Sequence, residues 1–184
     1  MSADSTPAVT IRPASSADFE ACFQIDHSCS TDTVWQMGIS DGGKSHEIAF
    51  RPTRLPRSLK VVYSRQDESL LISWRYHAIF FVAMMENRVI GYINIRDDIA
   101  EDTAWVADMA VAQAYRLRGV GKTLLSQARD WAFENQRRRL IVETHTRNYP
   151  AIQFLQRGGL TFCGYNERYY TNQDIAVFFG QVLY

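Results

Sequence analysis

Apolar residues recur along this chain at two spacings. Val9-Thr10-Ile11-Arg12 alternates and predicts a first strand. Ser15 or Ser16 is placed to cap a helix running to about His27, with Phe19, Cys22, Phe23 and Asp26 at helical spacing. Ser30 to Trp35 predicts the start of a second short helix. Gly38 to Pro56 is rich in turn formers, with a strand expected at Glu47 to Arg51. Gln66 to Tyr76, carrying Leu70, Leu71 and Trp74, suits either a helix or a strand. Ala78 to Met85 and Val89 to Arg96 flank the turn Glu86-Asn87-Arg88 and predict an antiparallel hairpin. Beyond an acidic turn, Asp97 to Asp102, the order becomes strand (Ala104 to Val111), helix (Val120 to Phe133), strand (Leu140 to Thr144) and helix (from Asn148 to the glycines at 158 and 159). Two strands close the chain, Leu160 to Tyr170 and Asp174 to Leu183. Arg137-Arg138-Arg139 reads as a helix C-terminus whose charge complements the helix dipole.

The densest chemical signal is the segment Arg116-Leu117-Arg118-Gly119-Val120-Gly121-Lys122-Thr123, which joins a predicted strand to a predicted helix. The first N–H groups of a helix lack partners within it, and the helix dipole favours negative charge there. Gly119 and Gly121 let the backbone approach a ligand. Arg116, Arg118 and Lys122 add positive charge, so the segment reads as a pyrophosphate cradle. A P-loop would need glycine where Arg116 stands, and a dinucleotide fingerprint would need it where Leu124 stands. The spacing that fits is [Q/R]-x-x-G-x-[G/A]. It resembles the acetyl-CoA-binding motif of the GNAT superfamily of N-acetyltransferases.

A second stretch supports that resemblance. Asn148, Ala151, Phe154 and Gly159 match the GNAT pattern N-x-x-A-x-x-F-Y-x-x-x-G-F. Leu160 replaces its last Phe and Leu155 replaces its Tyr. That tyrosine protonates the leaving thiolate of CoA in many members, so Leu155 leaves the acid unassigned. The resemblance implies an α/β (α+β) single-domain GNAT fold: a mixed, mostly antiparallel twisted sheet flanked by helices on both faces. It places acetyl-CoA, as cosubstrate, where the strands Trp105–Val111 and Leu140–Thr144 splay apart. The cofactor residues it implies are Met109, Ala110, Val111, Arg116, Leu117, Arg118, Gly119, Val120, Gly121, Lys122, Thr123, Asn148, Ala151 and Phe154. A family bulge in the first of those strands would free N–H groups at Met109 or Val111 to hold the pantetheine amide and polarise the acetyl carbonyl. Leu155 would face the CoA sulfur.

The ends carry a narrower resemblance, to streptothricin (nourseothricin) acetyltransferases. It rests on Ser30-Thr31-Asp32-Thr33-Val34-Trp35, on Glu47-Ile48 and Arg51, and on Leu160 to Tyr165 continuing to Asp174-Ile175-Ala176. It suggests Asp32 and Trp35 as substrate-binding residues. Asp32 could instead cap a helix.

The bulk numbers add exclusions. The 184 residues are 46% hydrophobic and 22% charged, with 20 Lys+Arg balancing 20 Asp+Glu. A neutral chain carries no electrostatic footprint for nucleic acid. No apolar run reaches membrane-spanning length. Cys22, Cys29 and Cys163 are scattered, without metal-ligand spacing, and read as reduced cytoplasmic thiols, Cys163 in the core. No metal is expected. Residues 1–7 read as a disordered tail and 8–184 as one acetyltransferase domain, monomeric or homodimeric.

Acetyl transfer to an amine requires that the ammonium, with a pKa of about 10, lose a proton before attack. Glu143, in an apolar strand where burial would raise its pKa, is the first candidate base. Asp108 is the second. For the acid, Tyr165, Tyr169 and Tyr170 can reach the same end of the cleft, with Tyr170 preferred and solvent as the alternative. His27, His46 and His77 read as structural; His145, ending the cleft strand, stands apart. Asp97 to Asp102 reads as a solvated loop. The expected function is acetyl-CoA-dependent N-acetylation, by direct transfer, of a primary amine on a small cationic acceptor such as a streptothricin-type antibiotic. Protein N-terminal or lysine acetylation, and acetyl-CoA binding without catalysis, are the competing readings.

Overall fold

The computed structural model describes residues 8–62 and 68–184, so the expected tail at 1–7 lies outside the described residues. Among the described residues, nine strands and four α-helices follow one another as β1 (Thr10–Pro13), α1 (Phe19–Phe23), β2 (Cys29–Asp41), β3 (His46–Val61), α2 (Glu68–Arg75), β4 (Ile79–Met85), β5 (Arg88–Arg96), β6 (Thr103–Val111), α3 (Val120–Glu134), β7 (Arg139–His145), α4 (Tyr149–Arg157), β8 (Thr161–Asn166) and β9 (Ala176–Val182). Their contacts divide into two compact units. One holds residues up to His27, Arg65–Glu143 and Gly180–Tyr184; the other holds Ser28–Ser64 and Thr144–Phe179.

In the first unit the strands lie in the order β1-β4-β5-β6-β7. Neighbours are antiparallel except β6 and β7, which are parallel. This is the mixed, mostly antiparallel sheet expected. The β4–β5 turn places Glu86 and Asn87 at φ 48° and 61°, the left-handed geometry that a tight hairpin demands. One face of the sheet packs Phe80, Val82, Tyr92 and Ala110 against Cys22, Ile25 and Leu70, with Phe23 and Trp74 beside them. α3 covers the other face. There Gly91 leaves no room for a side chain: a Cβ would stand 2.9 Å from the Ala110 carbonyl and 3.3 Å from Leu124. Helices therefore lie on both faces.

Charge ties β1 to the turn that follows it. Arg12 makes a two-pronged pair with Asp18 at 2.7 Å, and the Ser15 N–H and hydroxyl donate to the same carboxylate at 2.7 and 2.8 Å. Ser15 is the cap expected, but the helix that follows is a short 3-10 turn (Ser16–Asp18) and α1, ending at Phe23 rather than His27.

In the second unit β2 and β3 form a long antiparallel hairpin, pairing from Cys29↔Val61 to Asp41↔His46. This replaces the helix expected at Ser30–Trp35 and most of the turns expected from Gly38 to Pro56. Thr31, Thr33, Val34 and Trp35 are β-branched or aromatic, which suits a strand. The turn itself is confined to Gly42–Ser45, closed by the Gly42 N–H donating to Ser45 O at 2.9 Å. β8 neighbours β9 and ends at Asn166, so Tyr169 and Tyr170 lie in the turn beyond it rather than on a strand. Cys163 is exposed on β8, not a core thiol.

One charged run differs from expectation. α3 stops at Glu134, so Arg137 and Arg138 do not sit on its last turn. Arg137 pairs with Asp97 at 2.7 Å and Arg138 lies 3.9 Å from Asp102. The run Asp97–Asp102 is the solvated loop expected, joining β5 to β6 with residues 98–101 exposed, and ion pairs brace it, Asp98 being held by Arg96 at 2.8 Å.

Candidate active site

The register of β6 creates the first unit's open edge. Its parallel pairing with β7 runs from Thr103↔Arg139 to Val106↔Val142 and stops there, although β6 continues to Val111. Opposite β5, Asp108 faces Asn94 while Val106 faces Ile95, so Ala107 is an extra residue, a bulge. Beyond it, Ala112 donates to Ile90 O at 2.8 Å. Backbone groups of an antiparallel strand alternate between its two edges. Ala112, Ala110 and Asp108 thus aim theirs at β5, and Met109 and Val111 aim theirs at the open edge. The carbonyl of Val111 accepts the Arg116 Nε–H at 2.8 Å from that side.

The loop that follows is built from left-handed residues. Leu117 has φ 61° and Gly119, the N-cap of α3, has φ 87°. Among the described residues no side chain caps this helix. A Cβ at Gly119 would meet nothing within 4 Å, so glycine serves the backbone angle and not a tight contact. Leu117, Arg118, Gly119, Lys122 and Thr123 are exposed, and Val120 is buried beneath them. Uncapped N–H groups, exposed backbone and the cations Arg118 and Lys122 suit the diphosphate of acetyl-CoA. Arg116 has a different part. Its guanidinium donates to the carbonyls of Val111 and Asp26 and ties the loop to the sheet.

Both candidate carboxylates belong to this unit and share a face. Directly paired residues project to the same side, so Tyr92, Asn94, Trp105, Asp108, Ala110, Ile141 and Glu143 all lie on the face away from α3. Glu143 is half-buried and accepts the Trp105 indole N–H at 2.8 Å. Asp108 is buried, 2% exposed, and accepts from Asn94 Nδ2 at 3.2 Å. Tyr92, fully buried, meets His27 Nε2 at 2.6 Å. Tyr92, Asn94, His27 and Trp105 were not picked out from sequence. Their signal is the pair Tyr92 and Asn94, polar at alternate positions of an otherwise apolar strand, since buried polar groups find partners.

The remaining candidates lie in the second unit. Asn148 is the N-cap of α4, with its Oδ1 accepting from the Ala151 N–H at 3.2 Å. Ala151 and Phe154 are half-buried on that helix, and Leu155 is buried, 2% exposed. Asp32 lies on β2, so it caps no helix. It accepts from Thr33 Oγ1 at 3.0 Å and stands 3.7 Å from Arg54. Trp35 packs among Phe50, Phe162 and Phe179, with ring centres 5.6 to 5.9 Å away. Tyr170 is buried and sets its ring edge-on to His145 at 5.8 Å. His145 is 1% exposed, and burial pushes its pKa down against the pull of Asp174, 3.6 Å away.

Residues 47–159 match the Acetyltransferase (GNAT) family. Streptothricin acetyltransferase A of Bacillus subtilis (strain 168) is 35% identical over 102 residues, 53% of this chain and 58% of that relative, so the match spans little more than half of its length. Streptothricin acetyltransferase of Streptomyces lavendulae is 25% identical over 160 residues, 86% of this chain and 85% of that protein. Among solved structures, a nourseothricin acetyltransferase superposes with TM-score 0.81 at 25% identity, covering 96% of this chain and 99% of that one. With the bulged strand, the glycine loop and the uncapped helix in the order that the family match covers, the chain belongs to the GNAT acetyltransferase family.

Proposed function

We propose that this protein transfers an acetyl group from acetyl-CoA directly to a primary amine of a small cationic acceptor, with a streptothricin-type antibiotic as the named candidate. The observation that carries the reading is the edge of β6. Met109 and Val111 present backbone groups where pairing with β7 has ended, and the chain then turns straight into the uncapped α3.

Acetyl-CoA supplies an acetyl thioester whose thiolate leaves readily. The chain's part is to hold and orient it. The N–H groups of residues 119–122 and the cations Arg118 and Lys122 receive the diphosphate, as they would any polyanion. The Met109 and Val111 N–H groups are placed to bind carbonyl oxygens and stabilise charge developing there. A carboxylate takes the proton from the acceptor's ammonium. Its nitrogen then bonds to the acetyl carbon as the carbon–sulfur bond breaks, and the thiolate gains a proton from water or a phenol. Glu143 and Asp108, on one face of the same sheet, are the bases; each already accepts an N–H. The acceptor class comes from the names of the relatives. The three scattered cysteines, none in a disulfide among the described residues, favour a reducing compartment, hence the cytoplasm.

The test is release of CoA thiol on incubation with acetyl-CoA and, separately, a streptothricin, simple polyamines and N-terminal peptides. Release with the antibiotic or polyamines supports the proposal. Release with peptides alone replaces the acceptor, and no release from any amine overturns the activity.

A further inference from the structure

We propose that Tyr92 and His27 form the exit route for the proton that Asp108 takes from the acceptor amine. The proposal rests on the acetyltransferase reading above and adds a task that reading leaves open. A base must lose its proton before each new turnover, and Asp108, 2% exposed, has little direct access to water.

The arrangement of β5 and β6 supplies a path. Asp108 faces Asn94 and Ala110 faces Tyr92, so Asp108 and Tyr92 are diagonal neighbours on one face. From the buried Tyr92 hydroxyl the next polar atom is His27 Nε2, at 2.6 Å, with the rings edge-on at 5.7 Å. His27 is half-buried, so the path leads outward. Asn94 adds a second observation. Its amide nitrogen donates to Asp108, but its Oδ1 is buried and makes no hydrogen bond among the described residues. An orphan acceptor beside a buried carboxylate is satisfied by a water, or by the proton that the carboxylate gains.

The protons balance. The ammonium gives one proton to the Asp108 carboxylate. Asp108 passes it to the Tyr92 oxygen, directly or through one water, as the Tyr92 hydroxyl passes its own to His27 Nε2. Asp108 is ionised again, Tyr92 is still a neutral phenol, and the His27 imidazolium gives its proton to solvent. No phenolate forms, which matters because burial holds Tyr92 ionisation well above its usual range, with the Asp108 charge adding to it. Burial also pushes the His27 pKa down, and Arg116 adds to this; Asp108 and Asp26 pull it up. Burial thus favours the neutral His27 imidazole, the form able to accept a proton. The Trp105 indole offers Glu143 no such outlet, because its N–H donates and cannot accept.

The test uses the full chain with acetyl-CoA and the best amine. His27→Gln and the near-isosteric Tyr92→Phe should each lower kcat at pH 7 about tenfold or more while CoA affinity holds. Added imidazole should restore the rate of His27→Gln but not that of Tyr92→Phe. The acid limb of the wild-type profile should vanish in His27→Gln. NMR titration should place the His27 pKa below the usual histidine value, and Asp108→Asn should lower it further. Wild-type rates in both variants, or a loss in His27→Gln that imidazole leaves unrescued with the acid limb in place, would overturn the relay alone. A wild-type protein that releases no CoA with any amine would overturn the activity, and the relay with it.

Discussion

The Trp105 indole donates to Glu143 Oε2 at 2.8 Å, across the last stretch where β6 and β7 still pair. Trp105 faces Ile141 in that register, and Glu143 lies two residues beyond, on the same face. The carboxylate is thus fixed by a donor that cannot take a proton from it. That suits a group which accepts a proton from an acceptor, or orients the acceptor's cation.

Glu143→Gln keeps size and removes basicity. It is expected to lower kcat/KM by roughly ten- to a thousandfold with CoA affinity intact. Steady-state kinetics beside calorimetry checks this. A full rate in Glu143→Gln, with a loss in Asp108→Asn, would leave Asp108 as the sole base.

The first turn should set the acid limit of stability. The Arg12 guanidinium, then the Ser15 N–H and hydroxyl, hold Asp18 well below the usual carboxylate range, against the opposing effect of burial. A depressed folded-state pKa gives stability that is full above the unfolded value of about 4 and fades as pH falls through the folded one. Wild-type Tm should fall below about pH 4. In Asp18→Asn that part of the acid loss should disappear, with a cost of about 1–3 kcal/mol at neutral pH. Thermal melts between about pH 2 and 8 would show it. Parallel acid curves for the two proteins would contradict it.

Leu155 was expected to face the CoA sulfur, yet it is buried in α4. Leu155→Tyr should therefore overpack its surroundings, costing about 1–3 kcal/mol, and should lower Tm without raising kcat. A faster, equally stable variant would mean that the position opens toward the cosubstrate.

Tyr170 is buried against His145, whereas Tyr165 packs on Phe50 at 5.6 Å. If a phenol protonates the thiolate, Tyr170→Phe should lower kcat and leave KM nearly unchanged, and Tyr165→Phe should do neither. Full kcat in Tyr170→Phe would assign the proton to solvent.

Sequence was most informative where local chemistry decides the structure. Gly119 needs a left-handed backbone, Asn148 caps a helix before Pro150, and the two strand-like runs flanking Glu86-Asn87 form a hairpin. It was least informative where distant pairing decides. Thr31 to Trp35 became a strand because β3, sixteen residues long, pairs with it. The ion pairs Arg137–Asp97 and Arg138–Asp102 join runs about 40 residues apart that each look like solvated charge. His27 and Tyr92 lie 65 residues apart, and nothing local marks them as partners. Arg116 looked like a ligand cation because its spacing fits the loop, but backbone carbonyls at Val111 and Asp26 claim its guanidinium.

The central claim is that the turn from β6 into α3 is a diphosphate cradle built on backbone N–H groups, and CoA calorimetry on two Gly119 variants tests it most directly. Glycine at φ 87° can be replaced with least strain by Asn, which tolerates that angle. Gly119→Asn should bind CoA within about tenfold of wild type, a cost of about 1.4 kcal/mol or less. Gly119→Glu, placing a like charge at the helix N-terminus, should abolish binding, and ATP should bind wild type poorly. Equal CoA affinity in wild type and Gly119→Glu would contradict the account.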